Sequence, residues 1–141
     1  PPYALISRSD EASQRPSITF EQLSKKPMIM LDLPYTRDYF FGLFRARSLE
    51  PDVAHSTRSS EIAKALVEGD FGFTLLNIRP RNYSPKDSRY SVVPISDSSD
   101  VPVFGISTTG NLRQPKNVRS FIKICTKLRD DGIFDSCTVT A

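Results

Sequence analysis

The 141-residue sequence has no tryptophan, a single histidine, two cysteines and six glycines. Each shortage removes a class of reading. Cys125 and Cys137 are too few for a disulfide framework and do not form a C-x-x-C pair. His55 has no second histidine and no cysteine within ligand spacing, so the clustered nitrogen and sulfur donors of a zinc or iron site are missing. No metal and no cofactor is therefore expected. His55 is also the only imidazole a Ser–His–acid triad could recruit. Asp52 precedes it and serines follow it, but adjacency in sequence is not triad geometry. No G-x-S-x-G elbow, H-E-x-x-H pair or P-loop is present, and the chain is expected not to be an enzyme. No apolar run approaches bilayer length, which excludes a membrane-spanning helix. The charge is nearly balanced, 19 Lys and Arg against 16 Asp and Glu, and a scattered surplus of +3 does not argue for nucleic acid. The chain opens Pro1-Pro2-Tyr3 without a methionine, so the natural start is expected upstream.

What is present suits one globular domain: 38% hydrophobic and 25% charged residues, with apolar runs such as Met28-Ile29-Met30-Leu31. Residues 3–7 read as a short strand and 8–16 as a polar connection. Thr19 and Gln22 have the T-x-x-Q spacing of a capping box, opening a short helix that Pro27 ends. Residues 28–33, apolar except for Asp32, read as a run of the kind buried on both faces. The next helix takes Thr36 as its N-cap and carries Phe40, Leu43 and Phe44 in one stripe. Pro51 stops it. Residues 52–57 then form a strand, and Ser59 or Ser60 caps a helix bearing Ile62, Ala63, Leu66 and Val67 on one face. Gly69 suits the left-handed position after that helix, and 71–76 read as the third strand of the block. Strand and helix alternate with short connections, which predicts an α/β domain with a largely parallel sheet.

Beyond a polar loop at 79–89, residues 90–95 and 101–107 read as further strands. Pro115 suits the first position of a last helix, which carries Val118, Phe121, Ile122, Cys125 and Leu128 on one face. Cys125 is expected there as a buried free thiol.

Ligands of open α/β sheets gather outside the carboxyl ends of the strands, where helix N-termini also point. Three such ends can be named: residues 34–37, 57–60 and 77–79. The first two contain the pairs Thr36-Arg37 and Thr57-Arg58. Amides, hydroxyls and two guanidinium groups around one crevice suit a small anion such as a carboxylate. The plainer alternative is that the Thr and Ser residues cap helices and the arginines point to water.

The run SITFEQLSKKPMIMLDLPYTRDYFFGLFRARSLEPDVAHSTRSSEIAKALVEGDFGFTLLNIRP resembles the effector-binding domain of LysR-type transcriptional regulators. Residues 18–31 match the family's I-t-l-e-e-L-a-x-x-P-l-I-l-l segment, Ser48-Leu49-Glu50-Pro51 matches its g-l-x-P turn, and 57–76 match its t-x-s-x-e…l-V-a-x-G-x-G-x-x-L-L-P segment, with two residues rather than one between Gly69 and Gly72. Asn77 stands where the family often has proline. The likeness runs from about residue 3 to residue 128. It implies a two-lobed fold similar to type 2 periplasmic binding proteins. Residues 1–16 would be the end of lobe I and a first crossing strand, 17–100 lobe II, and 101–141 a second crossing strand and a helix returning to lobe I.

The family's winged helix-turn-helix, linker helix and early lobe I have no counterpart in these residues, so the chain is expected to be the second half of a regulator. DNA would be contacted only through that separate domain. By resemblance the effector lies between the lobes, touching Pro34, Tyr35 and Thr36, then Thr57, Arg58 and Ser59, and Asn77; strand-end reasoning adds Arg37. The resemblance further implies a cytoplasmic, allosteric sensor with a small-molecule partner, no membrane partner, and association into a homo-oligomer. An apolar stripe on the last helix without full cover would favour association as well. An extracytoplasmic solute-binding protein of the same fold is the alternative.

Overall fold

The apolar segment Tyr3–Ser7 forms β1, buried along all five of its residues, and becomes an interior strand. The computed structural model describes residues 2–77, 83–98, 105–108 and 114–134. Within them, β1 pairs antiparallel with β4 (Thr74–Leu76) on one side and with β5 (Tyr90–Pro94) on the other. β2 (Pro27–Leu31) and β3 (Asp52–Thr57) pair in parallel, with one extra residue, Ala54, bulged in β3. A parallel bridge between Met28 and Phe73 joins the two groups, and the buried Thr74 hydroxyl donates to the Ile29 carbonyl at 2.8 Å. The order across the sheet is thus β3-β2-β4-β1-β5. The expected parallel arrangement holds for β3, β2 and β4, while β1 runs against both of its neighbours.

Alternation along β1 sends Ala4 and Ile6 to one face and Tyr3 and Leu5 to the other. The first face is covered by α1 (Phe20–Ser24) and α2 (Thr36–Arg45) through Phe20, Leu23, Phe40, Leu43 and Phe44. Phe20 and Phe44 meet edge to face with centroids 4.9 Å apart, a favoured aromatic geometry. The second face takes α3 (Ser60–Glu68) through Ala63 and Val67, beside Tyr90. Helices on both faces explain why β2 is buried from Met28 to Leu31.

The capping box at α1 forms as expected: the Gln22 N–H donates to Thr19 Oγ1 at 3.2 Å, and the Thr19 N–H donates to Gln22 Oε1 at 3.1 Å. Elsewhere the element ends differ from the sequence reading. Thr36 is the first residue of α2 rather than its cap; Tyr35 takes the cap position with φ 65° and no side-chain bond. The Thr36 N–H is satisfied by the Leu33 carbonyl at 3.1 Å, so no hydroxyl cap is needed. The apolar run after Pro27 stops pairing at Leu31, because the Leu33 N–H folds back onto the Leu31 carbonyl at 3.0 Å.

After α3, Gly69 has φ −83° and Asp70 instead takes the left-handed position at φ 66°. Bonds from the Asp70 N–H to the Val67 carbonyl and from the Phe71 N–H to the Leu66 carbonyl make this a Schellman close. β4 begins only at Thr74, since Gly72, at φ 143°, turns the chain and leaves Phe71 exposed. Pro115 caps α4 (Lys116–Asp130) rather than opening it. No residue of α4 is buried, and Cys125 is only half-buried, because among the described residues no element covers this helix closely. Of the strand expected at 101–107, residues 101–104 lie outside the described residues and 105–107 are not in a strand. Cys137 also lies outside them.

Candidate functional site

The parallel trio β3, β2 and β4 ends on one rim. Bridging of Met28 with Phe73 brings the end of β4 level with the end of β2, and Leu31 pairs with Thr57 at the end of β3. The loops that follow are therefore neighbours, and the first two are stitched together by the Asp32 N–H donating to the Thr57 carbonyl at 2.8 Å. An open concavity of about 310 Å³ lies at this rim, lined by Asp32, Leu33, Pro34, Tyr35, Arg37, Asp38 and Arg58.

The expected residues divide by role. Pro34, Tyr35, Arg37 and Arg58 line the concavity. Thr36, Thr57, Ser59 and Asn77 do not line it, and two of them use their hydroxyls locally. Thr57 Oγ1 accepts from the Ser59 N–H at 3.2 Å, and Ser59 Oγ accepts from the Ile62 N–H at 3.4 Å, capping α3. For these two the plain capping role is the one observed. Asn77 follows β4 on the same rim, half-buried, its Oδ1 occluded and without a donor among the described residues.

The two arginines are not equivalent. Arg37 is engaged, 3.7 Å from Asp32 and with its guanidinium carbon 5.4 Å from the Phe41 ring centroid. Arg58 is exposed and has no ionic partner among the described residues. It directly precedes the cap of α3, whose first-turn amides lie at the positive end of the helix dipole. Tyr35 stands at the mouth, 89% exposed, in a backbone conformation that a tyrosine rarely adopts.

Sequence reasoning missed Asp32, Leu33 and Asp38 as lining residues. An aspartate directly after the buried run 28–31 was the available signal, since a charge at that point must face the rim. With Asp32 and Asp38 present, the concavity is balanced in charge, and among the described residues Arg58 and Asp38 are its two charged groups without an ionic partner.

A larger concavity of about 470 Å³ lies at the opposite end of β2, lined by Asp10, Arg15, Gln22, Lys25 and Lys26 among others. Its lysines are already engaged, Lys26 with Asp10 at 2.6 Å and Lys25 with Glu21 at 2.8 Å. Among the described residues no group of three or more His, Cys, Asp or Glu side chains is placed to hold a metal ion, and no helix is long and apolar enough to cross a membrane. His55 is exposed on β3 and meets Phe71 edge-on, with no acid or nucleophile in a triad arrangement described around it.

The comparisons agree on a relationship. A family model described as the LysR substrate binding domain matches residues 1–129. No curated protein matches this chain. Among solved structures, HinK, a LysR family transcriptional regulator from Pseudomonas aeruginosa, is similar at 27% identity and TM-score 0.72, over 89% of this chain and 44% of that one. The regulatory domain of CcmR from Synechocystis PCC6803, in complex with 2-PG, has 14% identity and TM-score 0.73, over 91% and 62%. The BenM effector binding domain with its effector benzoate has 15% identity and TM-score 0.69, over 99% and 62%. The chain thus spans less than half the length of the HinK structure.

Proposed function

The chain belongs to the LysR substrate-binding domain family, with the α/β, type 2 periplasmic-binding-protein-like fold of that family, and from this we propose that it is the ligand-sensing part of a transcriptional regulator. It binds a small effector at the rim where β3, β2 and β4 end. The observation that carries this reading is the concavity at that rim, with Arg58 uncommitted beside the N-terminus of α3. Benzoate and 2-PG are bound by two proteins of this fold, which supports a compact effector.

In finer detail, the effector is a carboxylate. Arg58 and the first amides of α3 hold the anion, Pro34 and Tyr35 give the apolar wall, and Asn77 lies at the far end of the rim. Residues 1–16, 17–100 and 101–141 serve as the first crossing with the end of one lobe, the second lobe, and the return. The effector bridges the lobes, binds one of their arrangements more tightly, and so shifts the regulator between states. No bond is made or broken. DNA is contacted by a winged helix-turn-helix outside these residues, and the protein acts in the cytoplasm. The family assignment weighs against the extracytoplasmic solute-binding alternative.

Isothermal titration of the protein with a panel of small carboxylates and their neutral amides tests this. A carboxylate that binds while its amide does not, with affinity falling about tenfold in Arg58→Ala, is the expected result. Binding restricted to neutral compounds, or unaffected by Arg58→Ala, overturns it.

A further inference from the structure

Two carboxylates line the rim concavity beside the two arginines, and neither accepts a hydrogen bond among the described residues. Asp32 meets Arg37 at 3.7 Å, beyond hydrogen-bond reach, and both side chains of that pair are exposed. Arg37 also leans on the Phe41 ring. Asp38 and Arg58 have no ionic partner among the described residues, yet these opposite charges line one space of about 310 Å³. A simple carboxylate answers Arg58 and leaves Asp38 unanswered. It would also enter a space that two carboxylates already line, where like charges repel. A dianion makes that repulsion worse, and a neutral ligand uses neither charge.

We propose that the effector is a zwitterion of amino-acid size, carrying a protonated amine as well as its carboxylate. This rests on the carboxylate reading above and adds the second pole. The carboxylate takes Arg58 and the first amides of α3, while the ammonium donates to Asp38 and to the Asp32 oxygens that Arg37 leaves open. Asp38 stands in the first turn of α2 and Arg58 just before the cap of α3, so two helix starts present the two poles of the site. The volume lies at the small end of ligand pockets, which begin at roughly 300 Å³, and suits a single amino acid. Because the concavity is open to water, the preference for the amine is modest, about tenfold.

Isothermal titration with the standard amino acids and γ-aminobutyrate, each followed by its des-amino counterpart, tests this. Hydrocinnamate is the counterpart of phenylalanine, isocaproate of leucine and butyrate of γ-aminobutyrate. The expected result is an amino acid that binds about tenfold more tightly than its counterpart. Asp38→Asn removes that preference without weakening the counterpart, and Arg58→Ala weakens both ligands; circular dichroism confirms that each variant is folded. Counterparts that bind as tightly as their amino acids, with both weakened by Arg58→Ala, overturn the zwitterion and leave the carboxylate reading standing. A preference that survives Asp38→Asn, or silence of every amino acid, overturns the zwitterion as well. Binding that Arg58→Ala leaves unchanged overturns both readings.

Discussion

Arg47, just past the end of α2, holds its Nε 3.2 Å from Oδ2 of Asp97 in the turn after β5. The same guanidinium donates to the Leu43 carbonyl at 2.8 Å and to the Asp97 carbonyl, and lies 4.5 Å over the Phe20 ring. Asp97 in turn accepts the Phe20 N–H at 3.1 Å, satisfying an amide that the first turn of α1 cannot. One arginine thereby ties the end of α2, the start of α1 and the far edge of the sheet.

Arg47→Ala is expected to lower unfolding free energy by about 1–3 kcal/mol, since it removes charge-assisted bonds and a stacked cation together. Arg47→Lys restores only part, because an ammonium cannot reproduce the planar fork. Urea denaturation of the three proteins checks the order. A lysine variant equal to wild type would show that charge alone matters there.

Gly72 sets the junction of β4 with β2. A Cβ at this position would stand 2.3 Å from the Pro27 carbonyl oxygen, which accepts the Phe73 N–H at 3.0 Å. Its φ of 143° is also unsuited to a side chain. Gly72→Ala is expected to lose roughly 2 kcal/mol or more, read as a lower thermal midpoint, and to disturb the rim that this junction aligns. An unchanged midpoint would contradict the close approach.

Tyr35 combines a left-handed backbone with almost full exposure, so little packing offsets its strain. Tyr35→Gly is expected to raise stability by about 0.5–1 kcal/mol while weakening effector binding. Thermal unfolding and titration of the same preparation test both halves. If stability falls, the strain has been overestimated; if binding is unchanged, the ring is not part of the wall.

Asp10 provides the pH test. Burial acts to raise its pKa, but the Lys26 hydrogen bond, the Ala12 N–H and the charges of Lys26 and Arg15 together hold it below the ordinary 3.8. The native carboxyl therefore binds its proton less tightly than the unfolded chain does. Its contribution is fully present above the unfolded pKa and disappears as pH falls through the native value. The stability difference between wild type and Asp10→Asn is expected to shrink below about pH 4, from a plateau under about 1 kcal/mol given the exposure of the pair. Chemical denaturation between neutral and acid pH measures it.

Much of the candidate site was legible from strand ends alone. Pro34, Tyr35, Arg37 and Arg58 line the concavity, because parallel strands deliver the loops that follow them to one rim. Thr57 and Ser59 were legible only as polar loop residues; their hydroxyls serve the turn and the cap of α3. Asp32 and Asp38 were passed over, since a carboxylate beside the expected anion site runs against the simple charge argument.

Local chemistry accounts for what could be read without coordinates. The Thr19–Gln22 capping box, the stripe of Phe40, Leu43 and Phe44, and the buried run of β2 each follow from spacing within a few residues. The antiparallel entry of β1, the exposure of β3 and the commitment of Arg37 to Asp32, with Arg58 lacking an ionic partner among the described residues, were decided by the fold. Those features depend on which distant segments become neighbours. Pairing across the sheet is a property of the whole chain's packing, and no window of residues encodes it.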